Sequence, residues 1–509
     1  MRQRVQARAR GAPGTIIGGV TGIIDPSRPI PIYFQLKTLL LEDILSGRYG
    51  PDTRLPTEHE LCALYGISRT PVTRALSELA DEGVILRRRK RGSFVNPHWA
   101  RRQVDGPEVR VVVPEGTWQR QIEEAAGEVR VNLATIALPD LHQTLTRSVA
   151  EGRAPDLAVL DSVWVPEFAA ARFLWPVDEL DRDWVEGEYA RDFLEPFVSA
   201  NRVGHETVAI QAEADVAGLW YRRDALSRVG REPPATWREF VSTARALEAA
   251  GIEHPVVFPG GSRGGETTAY CLLALLAAND VEVLGPGGVT LDTPATVATL
   301  KGLRQLVVDG LAPADAVALE WDRPVRLLAQ GSAAMSFGGS YEARLLADAA
   351  GVPLAELWQT FGFAPMPAGR NGRVATLAGG MVYAVFRQAA QPELAVRLLK
   401  RLVAPASLAQ MSRETAQVPS SRPAVELVAG ESELLSASAA MLDRAVVRPA
   451  IPAYAHVSAQ LQAMLEAVLT GRLRPAVAAS RAAELIAAIT GLPVVPGDGA
   501  GDAALTSSA

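Results

Sequence analysis

The sequence predicts a chain of two unlike parts, a small and mostly helical head with a two-stranded wing, followed by a large α/β body. Three observations predict it. Residues 31–95 read helix, helix, helix, then two short strands joined by a basic turn. Beyond them, apolar strand-like runs alternate with amphipathic helical ones. Charge divides at the same place: residues 1–104 carry 17 Lys/Arg against 9 Asp/Glu, and the rest of the chain 34 against 48. A basic head on an acidic body suits a polyanion-binding module joined to one that does not bind polyanions. The 509 residues leave room for about three domain-sized units.

In the head, Pro31 suits a first helical turn, and Ile32, Leu36, Leu39, Leu40 and Ile44 recur at helical spacing. In LPTEHEL, Thr57 and Glu60 have capping-box spacing, with Leu61 and Leu64 inward and a stop near Gly66. Ser68 opens the next helix, with Leu76 and Leu79 inward and Gly83 as its stop. VILRRR and GSFV follow as the wing, turned by RKRG.

LPTEHEL, GISRTPVTRAL, LADEGVILRR and RGSFV, in this order and spacing, resemble the winged helix-turn-helix domain of GntR-type transcription regulators. The resemblance implies that the Ser68–Glu82 helix enters the major groove of double-stranded operator DNA, with the wing in or beside the minor groove. The DNA-contacting residues it implies are Arg54, Thr57, His59, Ser68, Arg69, Thr70, Thr73, Arg74, Arg88, Lys90, Arg91 and Gly92. Arg69 can donate in bidentate fashion to a guanine or a phosphate. His59 and Thr73 stand where the family often has arginine. The resemblance also implies a homodimer.

In the body, VRVVVPEG and RVNLATIAL read as strands, DLHQTLTRSVAEG as an amphipathic helix, and APDLAVLDSVWVPEF as a buried strand running into a loop and helix. EGRAPDLAVLDSVWVPEFAAARFLWPVDEL, LWYRRDALSRVGREPPATWREFVSTARAL, LLAQGSAAMSFGGSYEARLL, FGFAPMPAGRNG, LAGGMVYAVF and AQVPSSRPAV follow in order. Together they resemble type 1 extracellular solute-binding proteins of ABC importers. This implies a periplasmic-binding-protein-like fold, with one lobe from 109–215 and 378–415, the other from 217–375, and a ligand between them. The implied effector is a small molecule, a sugar or oligosaccharide. Pockets for such ligands combine apolar or aromatic walls with a few placed polar groups. The candidates are Trp118, Asp161, Trp164, Glu213, Asp215, Arg263, Glu266, Trp321, Gly339, Ser340, Tyr341, Gly380 and Arg413, with Gly338 and Gly379 as further close-approach points. Trp175 and Trp237 read as packing residues.

The expected organisation is a disordered basic arm over 1–27, the head over 28–95, a linker over 96–107, the two-lobed body over 108–495 and a disordered tail over 496–509. The arm is Arg-rich and then Gly-rich; glycines break its apolar run, and no cleavage site follows. Cys62 and Cys271 lack metal-site spacing and read as buried free thiols. No run of 18 apolar residues predicts a membrane span, and the expected location is cytoplasmic.

GGSRG at 260–264 fits the G-x-S-x-G pattern of a serine hydrolase, but only His456 lies downstream as a base. A pyridoxal-phosphate aminotransferase-like body is the alternative. It needs a Schiff-base lysine, and downstream of the head only Lys301 and Lys400 are available, both in amphipathic helical patterns. The expectation is therefore a non-enzymatic, ligand-responsive DNA-binding regulator with no cofactor and no metal.

Overall fold

The computed structural model describes residues 24, 32–45, 48–81, 83–88, 91–97, 108–285, 287–369, 374–442 and 444–495. Pro31, Glu82, Lys90, all of the arm except Ile24, most of the expected linker and the tail lie outside the described residues. The chain divides into two compact units, Met1–Gly106 and Pro107–Ala509.

The first unit has helices Ile32–Leu45, Glu58–Tyr65 and Arg69–Asp81, then antiparallel strands Ile85–Arg88 and Gly92–Val95 paired from Ile85↔Val95 to Arg88↔Gly92. Thr57 begins the second helix as predicted. Its hydroxyl accepts the Glu60 N–H at 3.2 Å, and Glu60 accepts the Thr57 N–H at 2.7 Å. Gly66 ends that helix at φ 66°, and Gly83 follows the third at φ 71°. A side chain with a Cβ is strained at both. Leu36, Leu40, Leu61, Val72, Leu76, Leu79, Ile85 and Val95 close the core. Leu64 is a correction: it is half exposed, because a two-turn helix buries one narrow stripe, here along Leu61, Cys62 and Tyr65. Cys62 is likewise only partly buried, whereas Cys271 is buried; both are free thiols.

The second unit is built on two sheets. The five-stranded sheet runs Arg130–Ile136, Glu108–Pro114, Leu157–Asp161, Met381–Val385, Ile210–Gln211; its first three strands are parallel. The seven-stranded sheet has His254–Val257, Ala333–Gly339, Glu213–Arg222, Thr376–Gly379 and Ala445–Val447 in order, with Phe361–Ala364 and Val418–Pro419 also on the long Glu213–Arg222 strand. That strand alternates as a two-sided sheet requires. Ala217, Leu219 and Tyr221 enter one core, and Ala214, Val216 and Trp220 the other.

The chain passes between the two sheets at 211–213 and again at 379–381. Gly380 sits at the second crossing with φ +130°, and a Cβ there would lie 2.1 Å from the Glu213 carbonyl oxygen. Only glycine fits that approach without backbone movement. The chain rejoins the second sheet at Val418–Pro419 and again at Ala445–Val447, after which helices Tyr454–Leu469 and Pro475–Thr490 pack into the same core as the Gly265–Ala277 helix. The second lobe therefore includes a C-terminal segment beyond the range 217–375. The motifs that delimited the lobes stop before it.

Candidate functional site

The first unit presents one face on which helix and wing converge. Arg69, Thr70 and Ser68 are exposed at the start of the third helix. Glu58, at the start of the second, accepts Arg69 Nε at 2.8 Å and Arg87 Nη2 at 2.7 Å. The Arg69 guanidinium holds the Glu58 carboxyl below its ordinary range, against partial burial and with help from Arg87. A surface ion pair of this kind contributes little, so Arg69, with 81% of its side chain exposed, can exchange Glu58 for a phosphate or a base edge at small cost. Arg69, Thr57, His59, Arg88 and Gly92 line a groove between these elements of about 750 Å³.

The other residues expected to contact DNA are placed as follows. Arg54 bridges to the wing strand at Phe94 and lies against Gly92. Arg88 pairs with Asp52 and covers the Phe94 ring. Arg91 is exposed in the wing turn. Arg74 is turned back onto the first helix; its guanidinium stacks 3.7 Å from the Tyr33 ring centre and bonds the Tyr33 hydroxyl and Glu78. Thr73, one position before it, lies beside Glu58 and adds slightly to the lowering of its carboxyl.

In the second unit, the two sheets meet around a buried guanidinium. Arg448, only 7% exposed at its side chain, reaches Asp161 of the first lobe and Glu266 of the second, both at 3.1 Å. It also contacts the Ser162 hydroxyl at 3.2 Å and lies 5.3 Å from the Tyr270 ring centre. Glu266 is held in turn by the Tyr454 and Ser458 hydroxyls, each donating at 2.6 Å. Asp215 accepts from the Tyr270 hydroxyl at 2.5 Å, and Thr267 and Tyr341 share a hydrogen bond at 2.9 Å. Asp161, at the end of its strand, also accepts the Val163 N–H and so caps the short turn that follows.

Burial sets the electrostatics of this centre. It would by itself lower the Arg448 pKa, but Asp161 and Glu266 outweigh it and keep the guanidinium charged. Burial raises Asp215 to about 6, although Arg448 and Tyr270 pull the other way. It raises Glu213 to about 8, reinforced by the Asp215 charge. Burial therefore favours the protonated form of Glu213. The cavity between the lobes, lined by Ser162, Val163, Gln211, Gly379 and Arg448, measures about 30 Å³, room for about two waters.

The structure thus brings Asp161, Asp215, Glu266 and Tyr341 together, with Glu213 and Gly380 at the crossing beside them. Gly339 and Ser340 serve the framework: the Gly339 backbone pairs with Ala217, and the Ser340 hydroxyl accepts the Val216 N–H. Five residues lie elsewhere. Trp118 is buried in the first-lobe core, edge-on to Tyr383 at 5.9 Å. Trp164 packs against His142 at 5.0 Å, because its turn directs Ser162 and Val163, rather than the indole, to the cavity. Trp321 is surface-exposed, and Arg263 pairs with Glu320. Arg413 is occupied by Glu431 and the Leu427 carbonyl on an outer face.

Arg448, Tyr270, Tyr454 and Ser458 were not among the sequence candidates. A faint signal existed in VVRPAIPAY, where an arginine and two prolines interrupt otherwise helical surroundings. The Ser262 hydroxyl of the G-x-S-x-G match donates to Glu466, and Lys400 is paired with Asp181.

Comparison with known proteins agrees with this division. A two-lobed α/β body whose chain crosses repeatedly between sheets defines a solute-binding protein fold. The family model for bacterial extracellular solute-binding proteins matches residues 112–408, and the chain belongs to that family. Its head is that of the gntR family of bacterial regulatory proteins, matched over 32–95. The chain is 22% identical over 385 residues to a putative binding protein of Brucella abortus, covering 73% of this chain and 90% of that one. Its head is 44% identical over 73 residues to the transcriptional repressor NagR of Bacillus subtilis, spanning 14% of this chain and 30% of that repressor. Among solved structures it resembles an ABC transporter solute-binding protein of Thermotoga lettingae bound with α-D-tagatose. The TM-score is 0.68 at 21% identity, covering 76% of this chain and all of that one. A maltose-bound MalE3 of T. maritima gives 0.65 at 24%, covering 74% and 99%. The family match over the body replaces the aminotransferase alternative.

Proposed function

We propose that this protein is a ligand-responsive transcription regulator. Its head binds operator DNA, and its body binds a small solute between the lobes. The observation that carries the reading is the presence, in one chain, of a helix–wing face with exposed Arg69 and an interlobe centre of buried and half-buried carboxylates and tyrosines around Arg448. Proteins of similar fold bind sugars, and a set of carboxylates with hydroxyl-bearing side chains suits polyol hydroxyls. A sugar or oligosaccharide is therefore the effector class. Asp161, Asp215, Glu266, Tyr341 and Arg448 are its proposed contacts, reached when the lobes part. The regulator acts as a homodimer in the cytoplasm and catalyses no reaction.

Binding changes DNA affinity only if the effector prefers one of two states of the body. A thermal-shift screen of the purified chain against a carbohydrate panel tests the reading. A specific ligand at 100 times its Kd adds about 2.7 kcal/mol. The companion measurement is DNA binding to the organism's own genomic fragments at low salt. Failure to bind any fragment would remove the regulator reading, and a flat carbohydrate panel would remove the sugar.

A further inference from the structure

We propose that Arg448 is an internal stand-in for the effector, a latch that closes the lobes and with which the effector competes for Asp161. The inference rests on reading the interlobe centre as the effector site. Arg448 belongs to the second lobe. It follows the Ala445–Val447 strand, which pairs with Thr376–Gly379, and Glu266 fixes its guanidinium with help from Tyr454 and Ser458. Its remaining donor reaches across to Asp161 and Ser162 of the first lobe. One guanidinium therefore spans both lobes, with a planar fork suited to two carboxylates at once.

The backbone is shaped to admit it. A Cβ at Gly379 would lie 2.6 Å from Arg448 Nη2 and 3.0 Å from Asp215 Oδ1. Gly379, one of the two glycines expected to approach a ligand, thus approaches this side chain. The cavity left beside it, about 30 Å³, is smaller than any sugar, so an effector cannot enter while the latch is closed. Opening leaves Arg448 with Glu266 and strips Asp161 of its cross-lobe partner. The entering solute must then donate hydrogen bonds to Asp161, through vicinal hydroxyls or an ammonium group. An unpaired carboxylate in a closing cleft is costly, so a solute that cannot satisfy Asp161 is rejected in favour of Arg448.

The test is a distance between the lobes, measured by pulsed EPR on the full chain with no solute added. Spin labels go at Glu123→Cys and Glu248→Cys, both exposed, in a Cys62→Ser background; Cys271 is buried. The short distance should dominate in the otherwise unaltered protein. Arg448→Ala and the near-isosteric Asp161→Asn should each add a longer-distance population. Sub-denaturing guanidinium chloride should restore the short distance to Arg448→Ala and leave Asp161→Asn unchanged. If both variants keep the original distribution, ordinary packing holds the lobes together and the latch is wrong. Should Arg448→Ala fail to fold, the Asp161→Asn distribution decides alone. Because no effector is used, this outcome is separate from whether a sugar is the ligand.

Discussion

Arg69 and Glu213 show how differently two charged residues behave at the surface and in the interior. Arg69 is exposed and held by a weak pair with Glu58, so it remains available to DNA. Arg69→Ala should cost about 1–3 kcal/mol of specific DNA binding if the contact is bidentate to a base. Titration of operator against scrambled DNA measures it, and an equal loss on both would reassign the contact to phosphate. Glu213 is buried, with burial raising its carboxyl to about 8. Its folded pKa lies above its unfolded value, so the native body binds the extra proton between about pH 4.5 and 8. The associated stability is present below that window and is lost as pH rises through it. Glu213→Gln should therefore flatten the fall in melting temperature between pH 5 and pH 8, by an amount equivalent to 1 kcal/mol or more. Parallel slopes for both proteins would mean that Glu213 does not titrate there.

At the scale of the element, the second helix of the head is short enough that its cap matters. It spans eight residues, too few to be stable by propensity alone. Thr57→Ala removes the reciprocal bonds to Glu60 and should cost about 1 kcal/mol. Chemical denaturation of the head transition measures this, with Thr57→Ser close to the native value as the control. The Gly379–Gly380 crossing is the corresponding element of the body. Gly380→Ala meets the Glu213 carbonyl and a positive φ together, so it should destabilise the body by roughly 1–3 kcal/mol. Gly251→Ala makes a useful comparison, since it has a positive φ without a steric neighbour. A similar loss at both sites would locate the cost in φ alone.

At the scale of the whole molecule, charge and linkage make the predictions. DNA affinity should fall steeply with salt, because basic residues of the head displace counterions from phosphate. A salt-independent affinity would contradict the electrostatic division of the chain. If the body senses an effector, operator DNA must change effector affinity by the factor by which effector changes DNA affinity. Calorimetric titration of the effector with and without operator checks this. Identical affinities would make the body a passenger.

Local chemistry was legible in the sequence. The capping box at Thr57 and Glu60, the helix stops at Gly66 and Gly83, the wing, and the alternation of strands depend on neighbours a few residues apart. Periodicity and turn chemistry report such relations directly. The same holds for Asp161, which ends a strand and caps the next turn. The indole directions were not legible, because a loop's local path decides whether Trp164 faces the cavity or His142. Nor was Arg448. It meets Asp161 across 287 positions and Glu266 across 182, and no pattern within a window links residues so far apart. Only the return of the C-terminal segment to the second sheet brings that arginine between the lobes. Its charge is sustained there by two carboxylates, Asp161 and Glu266, that stand far apart in the sequence.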